Sequence, residues 1–220
     1  MKRYACLVLD HDDTVVRSEE TVNYPSFLET LAKLRPGQTI DLPAFTRWCF
    51  SPGFAALCLE HFGFSQEELN LQFEMWLQYV RTHIPPAFDG IGDVIRRQKA
   101  EGGLVCVVSH SSQENILRDY RTHFGLEPDC IFGWELGAQY RKPNPYPLDE
   151  IMKRYSLDAS DLLMVDDLKP GYDMAKTRNV DFAWAGWGRS NIPEIAAFMK
   201  AHSQFPFETI EALEKFLFES

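Results

Sequence analysis

Four short polar clusters carry the groups in this chain that could do chemistry. Asp10-His11-Asp12-Asp13-Thr14 follows one apolar run and Ser109-His110-Ser111-Ser112 follows another. Arg141-Lys142-Pro143 precedes a helical pattern, and Asp166-Asp167 closes a further apolar run. Together they bring carboxylates, hydroxyls and one primary amine, a set suited to a phosphate ester and a hard cation. Mg²⁺ takes oxygen ligands, commonly one or two carboxylates with water and phosphate, so acidic clusters from neighbouring strands can hold it. The cation would offset repulsion between those carboxylates and an incoming dianion. Lys142 and Ser109 would hold phosphate oxygens. A carboxylate that attacks phosphorus gives an aspartyl-phosphate. A second carboxyl two residues away on a loop can protonate the leaving oxygen. Each piece alone has a plainer use, since Asp and Ser after strands commonly cap helices or turns and a lone Lys is commonly solvated. Their joint placement at strand ends and loops is the informative feature.

That placement depends on the elements around them. Ala5–Leu9, Leu104–Val108, Cys130–Phe132, Leu162–Val165 and Phe182–Ala185 are short apolar runs bounded by polar or turn residues, the pattern of buried parallel strands. Helical patterns alternate with them at Ile91–Ala100, Ser112–Phe124 and Tyr146–Tyr155. The alternation predicts an α/β fold with a doubly wound parallel sheet, whose ligand site lies beyond the carboxyl ends of the strands. The stretch between the first two strands has no strand pair and reads as helices at Tyr24–Leu34, Leu42–Cys49, Phe54–Phe62 and Gln66–Val80. Ser65 and Glu68 fit a capping box opening the last of these. A segment of this length exceeds one crossover. It is expected to form a helical cap over residues 18–85, inserted between the 1–17 and 86–220 parts of a Rossmann-like core. Trp48, Phe50, Phe54 and Trp76 are expected in the cap's core.

Composition sets the outer bounds. A compact chain of 220 residues buries roughly 70% of its unfolded surface, enough for a core without disulfides or a structural metal. Hydrophobic residues make up 45% and charged residues 25%, which excludes disordered and fibrous classes. A net charge of -10 argues against nonspecific partners such as nucleic acid or an anionic membrane. No apolar run approaches the roughly 18 residues of a membrane span, and Ala5–Leu9 is too short for a signal-peptide core of about 7–15. The expected location is the cytoplasm, as a monomer or homodimer. Five cysteines without a CxxC pair read as reduced thiols.

The four motifs in order resemble those of the haloacid dehalogenase superfamily of aspartate-nucleophile phosphatases. Leu7-Val8-Leu9-Asp10-His11-Asp12-Asp13-Thr14 matches its apolar strand followed by DxDxT. Val105–Ser109 matches its second motif, Lys142-Pro143 its third, and Val165-Asp166-Asp167 its fourth, with Gly171 and Ala175 in the GxxxA place. With a helical insert between the first two motifs, the arrangement is similar to the phosphoglycolate phosphatase and β-phosphoglucomutase branch. The resemblance implies a Mg²⁺-dependent phosphatase acting on a small phosphorylated metabolite, with a phosphomutase as the alternative. It implies Asp10 as nucleophile and metal ligand, and Asp12 as general acid/base with its backbone carbonyl also on the metal. It implies Ser109 and Lys142 on the transferring phosphoryl group, and Asp167 with Asp166 as further metal carboxylates. His110, after the motif-two Ser, and Arg47 in the cap are candidate substrate contacts. Asp13 stands where the family usually has Gly, and His110 where Asn is common. A phosphoacceptor signalling module is disfavoured, because its acidic pair precedes the phosphorylated Asp and it carries no such insert.

Overall fold

The structure is a computed structural model and describes residues 2–188 and 192–219. The chain divides into two compact units, Met1–Val16 with Ala87–Ser220, and Arg17–Pro86.

The first unit is built on a parallel sheet of β1 (Cys6–Leu9), β2 (Leu104–Val108), β3 (Cys130–Phe132), β4 (Leu162–Asp166), β5 (Asp181–Ala185) and β6 (Phe205–Phe207). Their spatial order is β3-β2-β1-β4-β5-β6, so the chain winds outward in both directions from β1. Val8 pairs with Cys106 on one side and Met164 on the other, which fixes the register around the central strand. Every β1 residue is buried, as expected of a strand covered on both faces. Five strands match the apolar runs in the sequence. The sixth, β6, escapes that reading because Phe205-Pro206-Phe207 is three residues long with Pro at its centre, a composition tolerated on a sheet edge.

In the second unit, a π-helical turn at Glu19–Asn23 runs into α1 (Tyr24–Leu34), followed by α2 (Leu42–Phe50), the single turn α3 (Phe54–Ala56) and α4 (Gln66–Thr82). The Ser65 hydroxyl accepts from the Glu68 N–H while the Glu68 carboxylate accepts from the Ser65 N–H, completing the expected capping box. The core centres on Phe27, Leu31, Phe45, Leu57, Phe62 and Phe64. Trp48 and Phe54 pack at its margin, and Trp76 instead donates its indole N–H to Asn23 at 2.8 Å.

The sheet is flanked by α5 (Ile91–Ala100), α6 (Gln113–Phe124), α7 (Tyr146–Tyr155), α8 (Lys169–Thr177), α9 (Pro193–His202) and α10 (Ile210–Phe218). All five cysteines are free, and Cys6 and Cys106 lie buried in adjacent strands. No helix among the described residues is long and apolar enough to cross a membrane.

Candidate active site

The carboxyl ends of β1, β2 and β4 carry three of the four polar clusters, and the loop before α7 carries the fourth. At β1 the backbone continues the sheet ladder one residue further, with the Asp10 N–H donating to Val165 at 2.9 Å. Asp10 is thereby placed beside the end of β4, where Asp166 and Asp167 sit. At β2, the Ser109 N–H donates to the Phe132 carbonyl at 3.0 Å, fixing the start of the second loop.

The buried Lys142 ammonium joins two of these ends. It donates to Asp10 Oδ1 and to Asp166 Oδ2, each at 2.6 Å. Burial pulls the lysine pKa down, but the two carboxylates outweigh this, so the group is held charged above the usual lysine range. Burial pushes the Asp166 carboxyl up to about 6 even though Lys142 opposes the shift. Asp166 also accepts from the Leu168 N–H at 2.8 Å, so it supports the entry to α8 as well as the cluster. Asp10 is held unevenly. Lys142 grips Oδ1, while among the described residues Oδ2 has only the Thr14 hydroxyl at 3.5 Å.

Asp10, Asp166 and Asp167 are all buried and present oxygens within 4.8 Å of one another. Three buried carboxyl groups stand together here, two of them on the Lys142 ammonium. Hard oxygen donors this close match the preferences of Mg²⁺, so the donor set fits the ion.

The Asp12 side chain lies apart from that cluster. Its Oδ2 accepts from the Ser111 hydroxyl at 2.8 Å and the Ser109 hydroxyl at 3.3 Å. The Ser109 hydroxyl in turn accepts from the Ser111 N–H at 3.1 Å. Two carboxylates of one loop therefore occupy different surroundings: Asp10 is buried against an ammonium, Asp12 is half-buried against hydroxyls. Ser111 was not singled out by sequence reasoning, because a Ser two residues after a strand commonly serves a helix start.

Asp13 adopts φ 53°, in the left-handed region that Gly enters freely and Asp tolerates better than most residues. The departure from Gly therefore keeps the turn. Gly188 meets the Asp13 carbonyl so closely that a Cβ there would lie 2.2 Å from the oxygen. His110 sends its ring to the backbone rather than into the carboxylate cluster. Its Nε2 lies 3.0 Å from the Lys142 carbonyl. Although part of the ring faces solvent, its pKa is held below the usual histidine range, first by desolvation and then by the Lys142 ammonium. The neutral ring with its proton on Nε2 donates to that carbonyl. Arg47 belongs to the helical unit, exposed in the last turn of α2.

Two indoles brace the loops from β5 and the segment after it. Trp184 donates to the Asp167 carbonyl at 3.1 Å and Trp187 to the Thr14 carbonyl at 3.0 Å. Behind the first motif, the buried His11 ring meets Asp119 of α6 at 3.0 Å. Alternation along the chain thus sends His11 inward while Asp10 and Asp12 serve the site.

Gly171 in the first turns of α8 explains the GxxxA pattern physically. A Cβ there would fall 2.2 Å from Asp166 Oδ2. Gly171→Ala is expected to lower the melting temperature by a few degrees. Overpacking costs about 1–3 kcal/mol and is only partly offset by about 1 kcal/mol of helix propensity. Turnover should fall with it, since Asp166 must move from Lys142. Scanning calorimetry and a phosphate-release assay check both, and an unchanged melt with full turnover would show that α8 shifts freely.

Residues 7–185 match the model of the family described as haloacid dehalogenase-like hydrolase. No curated protein matches significantly. Solved structures resemble this one across nearly its whole length. A predicted phosphoglycolate phosphatase from Haemophilus somnus is 15% identical with TM-score 0.79, covering 98% of this chain and 99% of its own. A haloacid dehalogenase-like hydrolase from Bacteroides fragilis is 18% identical with TM-score 0.77, covering 96% and 99%. CbbY from Rhodobacter sphaeroides, in complex with xylulose-1,5-bisphosphate, is 18% identical with TM-score 0.66, covering 82% and 85%. At these identities the likeness is one of fold. The family match itself spans most of the sequence and contains all four polar motifs, so this chain belongs to the haloacid dehalogenase-like hydrolases.

Proposed function

We propose that this protein is a Mg²⁺-dependent phosphatase that hydrolyses a small phosphomonoester through an aspartyl-phosphate on Asp10. The observation that carries this reading is the division of labour within one loop. Asp10 is held against Lys142 among buried carboxylates, while Asp12 two residues on accepts from the Ser111 and Ser109 hydroxyls.

Asp10, Asp166 and Asp167, with the Asp12 backbone carbonyl, are the groups that would hold Mg²⁺. The ion supplies charge neutralisation and polarisation of a phosphoryl oxygen. The chain's residues do the rest. Lys142 and the Ser109 hydroxyl bind phosphoryl oxygens and orient the ester. Asp10 Oδ2 attacks phosphorus, forming the Asp–O–P bond as the ester P–O bond breaks. Asp12 gives its proton to the departing oxygen. It then takes a proton from the water that attacks the phosphoenzyme, and inorganic phosphate leaves with Asp10 restored. His110 steadies the Lys142 segment through its carbonyl. The helical unit is assigned as the cap that reads the rest of the substrate, with Arg47 its candidate contact, and the setting is cytoplasmic.

Removing divalent cations with a chelator is expected to reduce phosphate release to background, and adding Mg²⁺ to restore it. Ca²⁺ should restore it poorly, because its larger, looser coordination would misplace the Asp10 oxygens. Mg²⁺ should also raise the melting temperature, since binding to the native state stabilises it. Full turnover in demonstrably metal-free protein would remove the metal from the reading.

A further inference from the structure

The mechanism above makes no use of a buried polar pair behind the first motif. The His11 Nε2 lies 3.0 Å from Asp119 Oδ2, and the two side chains are 1% and 2% exposed. An ionised carboxylate only accepts, so Nε2 is the donor. This is the ring's one hydrogen bond among the described residues, since Nδ1 has none. Tyr120 stacks on the ring, with centroids 6.1 Å apart. The other carboxylate oxygen of Asp119 accepts from Arg118 Nε at 2.7 Å.

Stability alone is a poor account of this pair. Buried charged contacts commonly do no more for folding than well-packed apolar groups of similar volume, and Leu7, Leu9, Ile116 and Tyr120 of the same two elements are core residues. Its position is more telling. His11 stands between Asp10 and Asp12. Its carbonyl accepts from the Val15 and Val16 N–H groups at 2.9 and 3.1 Å, so the loop closes on this residue. Its side chain then ties the closed loop to α6. The same helix reaches the loop a second time. The Ser112 hydroxyl caps α6 by accepting from the Asn115 N–H at 3.3 Å, and the neighbouring Ser111 hydroxyl donates to Asp12 at 2.8 Å. Asp119 follows about two turns further along the helix. One helix therefore holds the loop at two points, Asp12 and His11. Because His11 is the single link between Asp10 and Asp12, turning it would shift both carboxylates.

We propose that His11 and Asp119 are positioning residues, which set Asp10 and Asp12 at the separation and orientation that phosphoryl transfer needs. This rests on the phosphatase reading above. Misplacing a reacting group by about 1 Å can cost about 10²-fold in rate. The pair's contribution therefore falls on turnover rather than on folding or phosphate binding.

Three variants test this with p-nitrophenyl phosphate and saturating Mg²⁺. His11→Phe keeps the ring and its stack and loses the hydrogen bond. His11→Phe combined with Asp119→Ala removes both partners at nearly constant summed volume and strands no carboxylate. His11→Gln keeps an amide donor for Asp119. Rates are measured at a temperature where calorimetry shows each protein folded. In the two Phe variants kcat/KM should fall about tenfold to a hundredfold, and in His11→Gln it should fall far less. The inhibition constant of inorganic phosphate should stay near its wild-type value, since Lys142 and Ser109 are on other loops. The double variant should melt within a few degrees of wild type. Full kcat/KM in both Phe variants would overturn the proposal. So would equal losses in His11→Gln and His11→Phe, or a phosphate inhibition constant that rises in step with the lost rate. Failure of both Phe variants to fold would also overturn it, by making the pair a requirement of the fold. All of these leave the phosphatase reading standing. No phosphate release by folded, Mg²⁺-loaded wild type would overturn both.

Discussion

Asp10→Asn is expected to abolish turnover, by a factor on the order of 10⁴–10⁶, the range for removing a covalent nucleophile. The amide is nearly isosteric but its oxygen is a poor nucleophile. The fold should survive, and the reason lies in the cluster around Lys142. Breaking a buried ion pair ordinarily costs about 3–5 kcal/mol because one charge is stranded. Here the ammonium keeps Asp166 at 2.6 Å after Asp10 is neutralised. The ammonium is therefore not stranded, so the melting temperature should change by no more than a few degrees. Two measurements separate chemistry from folding. Calorimetry should show an intact transition in the variant. In wild type, fluoride complexes that mimic a phosphoryl group, or peptide mapping after trapping of the phosphoenzyme, should place the modification on Asp10. A label on Asp166 or Asp167 would mean that the nucleophile is on β4 and that the roles of the two acidic clusters must be exchanged.

The parts of the molecule that could be read from sequence are those whose signal is local. The apolar runs Ala5–Leu9, Leu104–Val108 and Leu162–Val165 read as buried strands, and the structure has strands at Cys6–Leu9, Leu104–Val108 and Leu162–Asp166. Ser65 and Glu68 announce their helix because both halves of the cap lie three residues apart. What stayed hidden depends on residues distant in sequence. Ser111 becomes informative only when its hydroxyl is seen on Asp12, 99 positions away. Trp184 and Trp187 look like packing groups until their indole N–H groups are found on the Asp167 and Thr14 carbonyls. His110 resembles a changed substrate contact in sequence, whereas its ring bonds the Lys142 carbonyl. Edge strand β6 and the helices α8, α9 and α10 also lie outside that reading. β6 is short with Pro at its centre and α9 is weakly periodic, so both acquire meaning only against a sheet that is already built, whereas α10 carries helical spacing at Ile210, Leu213 and Leu217.

Asp12 is the residue whose role the geometry makes most open to a quantitative test. Its carboxylate accepts hydroxyl bonds from Ser111 at 2.8 Å and Ser109 at 3.3 Å rather than an ammonium bond like that of Asp10 to Lys142. If it serves as general acid, its value depends on the leaving group. An alkyl alkoxide leaves badly and needs the proton, help typically worth about 10²–10⁴-fold. A nitrophenolate leaves well and needs little. Asp12→Asn is therefore expected to slow phosphorylation of Asp10 by an alkyl phosphate by about 10²–10⁴-fold, and by p-nitrophenyl phosphate far less. The comparison has to isolate the first chemical step, because Asp12 also serves as base toward water in the second. Single-turnover rapid-quench measurements do so, reading phosphoenzyme formation directly. Release of phosphate from the phosphoenzyme should be slowed alike for both substrates, since the leaving group has by then departed. Equal losses in the first step would show that Asp12 acts by holding the loop against Ser109 and Ser111 and would withdraw its role as acid.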